Sequence, residues 1–219
     1  MRFKKAELDV RTRYIADLEK SLTTYFKDYR NEQKSIIESL LKGHDTVVRL
    51  RTGGGKSLCF QAPAIISQGV TIVISPLQAL CNDQVDNFNK KYCTEAVTEF
   101  NKKYAEAHPE CAGFLSDKMP KAEFDLSVSK LVKNNNDDNT ECKLLYLSPE
   151  MLNKPVYRQE LIEAVASGKL KISMIIFDEA HCLSEWGFNF RESYFQICST
   201  IARLKKYQEI PMGIFSASL

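Results

Sequence analysis

Two short strings in this sequence carry residue types that could act on a phosphate anhydride. The first is Thr52-Gly53-Gly54-Gly55-Lys56-Ser57 and the second is Asp178-Glu179-Ala180-His181. Successive glycines let the backbone turn so that several N–H groups face one anion. The ammonium of Lys56 could then reach the β- and γ-phosphates of a nucleoside triphosphate, and the Ser57 hydroxyl could hold Mg²⁺. The strict phosphate-loop spacing asks for a glycine where Leu50 stands, so this string alone leaves open a glycine-rich turn with a surface lysine. The acidic pair supplies the other half of a hydrolytic site. Asp178 suits an Mg²⁺ ligand, usually through water, and Glu179 suits orienting and deprotonating the attacking water. His181, three residues beyond Asp178, is placed to report the γ-phosphate state to neighbouring elements. An acidic turn at a strand end is common by itself, but its pairing with a phosphate loop is not.

These residues act together only if the chain brings them to one edge of a sheet. The β-branched run over 46–50 predicts a strand feeding the glycines, and a helix from Lys56 turns its positive end toward the anion. The run Met174-Ile175-Ile176-Phe177 predicts a buried strand that delivers both carboxylates to the C-terminal edge, where ligands of open α/β sheets sit. Further strands are predicted over 70–75, 111–115, 143–147 and 212–215, and helices over 31–41, 78–91 and 121–132. Alternating helices and continuously apolar strands indicate an α/β fold, a mostly parallel sheet with helices on both faces. One or two amphipathic helices are expected between Ala6 and Tyr29. The charged stretch over 92–110 reads as a surface insertion, and the polar run over 134–139 reads as an exposed loop tip. No internal repeat is visible.

Composition limits the alternatives without choosing among them. At 219 residues, 44% hydrophobic and 26% charged, the chain suits one large globular domain. A net charge of +2 does not announce a nucleic-acid binder, so any such role needs a local patch. Seven scattered cysteines (Cys59, Cys81, Cys93, Cys111, Cys142, Cys182, Cys198), never spaced C-x-x-C, argue for reduced, mostly buried thiols and against zinc or a disulfide framework. The basic start is not followed by an apolar signal core, and no apolar run reaches transmembrane length. A soluble intracellular protein with no membrane role is expected.

Longer strings narrow the reading. The stretch Thr52-Gly53-Gly54-Gly55-Lys56-Ser57-Leu58-Cys59-Phe60-Gln61-Ala62-Pro63-Ala64 is similar to the phosphate loop and following helix of RecQ helicases, within superfamily-two helicases. The stretch Asp178-Glu179-Ala180-His181-Cys182-Leu183-Ser184-Glu185-Trp186-Gly187-Phe188-Asn189-Phe190-Arg191 resembles their DEAH box joined to an aromatic-rich loop. The resemblance runs in order from Phe26 to Ser218 and implies a RecA-like lobe over 25–219, preceded by a helical extension over 1–24. It further implies ATP and Mg²⁺ as cofactors, and a 3′-to-5′ DNA helicase as the whole. In Phe26-Lys27-Asp28-Tyr29-Arg30-Asn31-Glu32-Gln33, the family's adenine motif would have Gln33 bond the adenine edge, Phe26 stack on its ring and Arg30 assist. Ser75-Pro76 and Ser148-Pro149 resemble the loops that track a single-stranded DNA backbone, contacts that carry no sequence information.

Trp186, Phe190 and Arg191 would meet DNA and inform the carboxylates of its presence; base stacking contributes about 1–3 kcal/mol per base. Ser216-Ala217-Ser218 resembles the motif that couples hydrolysis to lobe movement, with Ser218 replacing a threonine. Other departures are Arg51 for proline, Gln78-Ala79, and Glu192 beside the presumed DNA path. The expected partners are single-stranded or forked DNA and a second RecA-like lobe bearing an arginine finger. The sequence stops just after Ser218, so weak Mg²⁺–ATP binding, slow turnover and no unwinding are expected of this polypeptide by itself. The competing reading is a catalytically silent nucleotide- or nucleic-acid-binding module derived from a helicase lobe. Residence in the nucleus is expected if the source is eukaryotic, and in the cytoplasm otherwise.

Overall fold

Runs such as Val70-Thr71-Ile72-Val73-Ile74 offer apolar side chains to both faces of a strand, which only a sheet covered on both sides can use. The structure, a computed structural model, describes residues 30–92, 112–122, 142–181 and 188–218. In chain order these form α1 (Asn31–Leu41), β1 (Thr46–Arg49), α2 (Lys56–Ile66), β2 (Val70–Ile74), α3 (Gln78–Tyr92) and β3 (Ala112–Leu115). Next come β4 (Leu144–Leu147), a 3-10 helix (Pro149–Asn153), α4 (Pro155–Ala166), β5 (Ile172–Phe177), α5 (Phe188–Leu204) and β6 (Met212–Ser216). The strands make one six-stranded sheet in the order β1-β6-β5-β2-β4-β3. Every pairing is parallel. The expected sheet is therefore the observed one.

Strand alternation sorts the core into two layers. Val48, Val73, Leu144, Tyr146, Met174, Ile176 and Phe215 face Ile37, Leu40, Phe60 and Phe88 of α1, α2 and α3. Ile72, Ile74, Leu145, Leu147, Ile175 and Phe177 face the opposite layer, with Tyr157 and Ile162 of α4 and Ile197, Ile201 and Leu204 of α5. Each fully buried aliphatic side chain contributes about 1.5–3 kcal/mol, so neither layer is dispensable. A charge placed at Ile176, which is 0% exposed, would break the sheet at the strand that carries the acidic pair.

The loops inherit their positions from this register. All strands being parallel, the segments after β1, β2, β4, β5 and β6 emerge on one edge. Asp178 N donates to Ile74 O at 3.0 Å and Ser75 N donates to Leu147 O at 3.1 Å, which sets Asp178, Ser75 and Ser148 in one row.

α4 and α5 were not anticipated as helices. α5 begins at Phe188, so the backbone of Phe188, Phe190 and Arg191 opens a helix and not a loop. The helix expected over 121–132 and the insertion over 92–110 fall mostly outside the described residues, as does the extension over 1–24. Among the described cysteines Cys59 and Cys81 are buried, whereas Cys198 is exposed, against the expectation of mostly buried thiols.

Candidate nucleotide site

The phosphate loop is a tight turn held by its own backbone. Gly54 N donates to Arg51 O at 2.8 Å, and a β-carbon on Gly54 would lie 2.7 Å from that same oxygen. Gly55 caps α2 at φ +78, the left-handed region that L side chains avoid, and a β-carbon there would meet Gln33 Nε2 at 2.3 Å. Thr52 and Gly53 are exposed at the rim, whereas Lys56 and Ser57 are half-buried in the first turn of α2. That helix has no side-chain cap and no acidic residue in its first turn, so its N–H groups are left to face an anion.

Gln33 is spent on this loop. Its Nε2 donates to Gly54 O at 3.3 Å and Gly55 O at 3.2 Å, while its Oε1 accepts from Arg30 N at 2.7 Å. The amide that the family resemblance assigns to adenine thus braces the phosphate loop in this structure. Arg30 is exposed at the head of α1, and Phe26 lies outside the described residues. Substituting Gly55→Ala forces both a disfavoured φ and a clash with Gln33. We expect about five- to 150-fold weaker nucleotide binding from a strain of about 1–3 kcal/mol, measured by titration with a fluorescent ATP analogue. An unchanged affinity would show that the loop is free to rearrange.

Opposite the loop, Lys56 Nζ meets Glu179 Oε1 at 2.8 Å, with both side chains mostly buried. Glu179 Oε2 lies 3.3 Å from His181 Nδ1, which is 3.5 Å from Ser216 Oγ. Ser216 Oγ in turn donates to Ser218 O and accepts from Ser218 N at 3.2 Å. One polar chain therefore links all three predicted elements: the phosphate loop, the acidic pair and the Ser216–Ser218 segment. Asp178 stands beside it, 5% exposed, with its Oδ1 accepting from Glu179 N at 3.0 Å. Burial first, and the Glu179 charge second, push its carboxyl up from 3.8 to about 6. Lys56 is bound to Glu179, so among the described residues its ammonium reaches Asp178 only through its charge. A buried carboxylate short of a cation, beside a phosphate loop, fits a hard divalent ion with oxygen ligands, and Asp178 with Ser57 would hold Mg²⁺ here.

The segments assigned to DNA present themselves differently. Ser75 is 1% exposed and Ser148 0%, and Pro76 and Pro149 are buried as well. The hydroxyls of Ser75 and Ser148 therefore do not line the surface. What these loops offer outward includes the half-exposed Leu77 and the exposed Ala79, besides their backbone. Trp186 lies outside the described residues. Tyr146 and Cys81, which the motif reading passed over, are buried near enough to Asp178 for its charge to raise their proton affinity. Only their place on inward-facing positions near the sheet edge could have flagged them.

A parallel sheet of this order, with a phosphate loop after β1 and an acidic pair after β5, defines a RecA-like nucleotide-binding lobe. Within that class the chain belongs to the DEAD/DEAH box helicase family, whose model matches residues 30–219. It is 35% identical over 181 residues to the probable ATP-dependent DNA helicase RecS of Bacillus subtilis (strain 168), a match covering 83% of this chain and 30% of that protein. It is 32% identical over 195 residues to the ATP-dependent DNA helicase RecQ of Synechocystis sp., covering 88% of this chain and 35% of that protein. The chain thus spans 30–35% of the length of these curated relatives. Among solved structures, the Mycobacterium smegmatis helicase Lhr bound to ssDNA and AMP-PNP shares the fold, with a TM-score of 0.65 at 20% identity. That match covers 92% of this chain and 24% of the Lhr chain.

Proposed function

We propose that this lobe binds Mg²⁺–ATP and, joined to a second RecA-like lobe, drives a 3′-to-5′ DNA helicase of RecQ type. The observation that carries the reading is the 2.8 Å contact of Lys56 with Glu179 across the edge of the sheet. A phosphate-binding ammonium and a candidate general base that touch each other must flank the same reacting atom. The geometry supports the following roles. The α2 N-terminus and the loop amides take the phosphates, Lys56 leaves Glu179 to neutralise the terminal phosphates, and the freed Glu179 carboxylate accepts the proton of the attacking water. Bound Mg²⁺ would supply charge neutralisation on the phosphate oxygens. His181 and Ser216 carry the change at Glu179 toward Ser218.

Single-stranded or forked DNA is the proposed track. Support comes from the loops after β2 and β4, which emerge on the same edge as the nucleotide site, and from the DNA-helicase names of the relatives. The first test is binding of ATP to this chain in MgCl₂. Lys56→Ala is expected to weaken it about ten- to a hundredfold, the worth of a charged hydrogen bond. Equal binding by the variant, or none by the wild type at millimolar nucleotide, would remove the reading.

A further inference from the structure

A phosphate cradle needs positive charge that is free to meet an incoming anion. Lys56 is not free, because its Nζ is bound to Glu179 Oε1 at 2.8 Å. The buried Asp178 and the mostly buried Glu179 add negative charge at the same edge of the sheet. A polyphosphate arriving there meets carboxylates while the ammonium of α2 is still engaged.

A second cation belongs to the loop itself. Arg51 opens the turn, its carbonyl oxygen accepting from Gly54 N at 2.8 Å. The stem of its side chain runs along the loop: a β-carbon built on Gly54 would lie 3.6 Å from Arg51 Cγ. The preceding residue is pinned, since Leu50 N donates to Ser216 O at 3.1 Å and its side chain packs against the core. Arg51 is exposed, as are Thr52 and Gly53 beside it. Its guanidinium is thus carried on the rim of the cradle, and no carboxylate among the described residues pairs with it. A guanidinium presents N–H donors in a planar fork that matches two phosphate oxygens at once. Unlike Lys56, it has no ion pair to break first.

Resting on the nucleotide-site reading above, we infer that Arg51 is a further phosphate-binding residue of this site. It takes the triphosphate tail from the solvent side of the loop while Glu179 still holds Lys56. It stays on the tail after that pair opens. The loop thereby carries its own cation for capture, and the contact depends on charge and not on the base or the sugar.

The test titrates a fluorescent ATP analogue in MgCl₂ into this chain and its Arg51→Gln variant, then displaces it with ATP and with inorganic tripolyphosphate. Glutamine keeps much of the length at an exposed position and removes the charge. The expected result is about three- to tenfold weaker binding of both ATP and tripolyphosphate by the variant at low salt. That gap should close at about 1 M NaCl, where charges are screened within about 3 Å. Unchanged affinities overturn the inference. So does a loss for ATP that tripolyphosphate does not share, or a wild-type site that tripolyphosphate cannot enter, since Arg51 would then serve the base or the sugar. A loss that persists in full at high salt overturns it as well, because it would come from the shape of the loop. Lys56→Ala keeps the two readings apart. A wild-type chain that binds no analogue, or a Lys56→Ala variant that binds as well as wild type, overturns the nucleotide site itself. A loss in Lys56→Ala with none in Arg51→Gln overturns only the role of Arg51.

Discussion

Replacing Glu179 by glutamine is expected to lower ATP hydrolysis by about 10²- to 10⁴-fold while tightening the binding of ATP. The two effects have one origin. In the free protein Glu179 holds Lys56 at 2.8 Å, and that pair must open before the ammonium can serve the phosphates. Glutamine keeps the size and one hydrogen-bonding oxygen but loses the charge, so the lysine is released at lower cost. A mostly buried ion pair of this kind resists opening by about 0.5–1.5 kcal/mol, which corresponds to about two- to tenfold tighter binding. The proton acceptor disappears in the same step, and hydrolysis falls by the worth of a positioned general base. Single-turnover hydrolysis and equilibrium binding, measured on one preparation, check both halves. Weaker binding would show that Glu179 supports the loop and does not restrain Lys56. Unchanged hydrolysis would place the base elsewhere.

The second large effect concerns Asp178 and has opposite signs with and without ligand. Its carboxyl is pushed from 3.8 to about 6 by burial and the adjacent Glu179. A carboxyl whose folded value is raised stabilises the fold at low pH, fully below its unfolded value, and that contribution is lost as pH rises through the folded value. Ionised Asp178 therefore costs the metal-free protein up to about 3 kcal/mol above pH 7, two units of pKa at 1.4 kcal/mol each. Asp178→Asn removes the cost. The variant is expected to melt several degrees higher than wild type at about pH 8, with the difference shrinking toward zero near about pH 4. Its Mg²⁺-dependent gain in nucleotide affinity should vanish, because an amide is a poor ligand for the ion. Thermal melts across pH, with and without Mg²⁺–ATP, measure both. A variant less stable than wild type at pH 8 would show that the carboxylate is already compensated.

Much of this architecture is legible in the sequence. Strand positions followed from short continuous apolar runs, because a strand buried on both faces has no polar alternation to blur it. The meeting of Lys56 with Glu179 was legible because both residues follow strand ends that the sequence marks clearly. Gln33 illustrates what was not. Its identity was noticed, but its bond to the loop backbone depends on how α1 docks over Gly55, a tertiary fact with no local signal. Ser75 and Ser148 were read as DNA contacts from their motif positions. Whether a hydroxyl at a strand end faces solvent or the helix layer depends on the register of the next strand, and both proved buried. α5 escaped notice because its aromatic start drew a functional reading, whereas Ile197, Ile201 and Leu204 recur at the spacing of a buried helix face. Tyr146 was hidden by the same logic: inside a run of leucines, a tyrosine reads as bulk.

Glu179 itself adopts φ +51, the one non-glycine among the described residues to enter the left-handed region. Its flanking residues cannot relieve this, since Asp178 N is tied to Ile74 O on β2 and Ala180 N to Phe215 O on β6. Glycine at 179 would relax the backbone by about 1–2 kcal/mol, and asparagine would recover part of that. The strained backbone and the pairs that Glu179 makes with Lys56 and His181 thus pull on this position in opposite directions. The same strain offers a ready criterion for sorting related lobes: glycine or asparagine here would relieve the backbone and remove the candidate base.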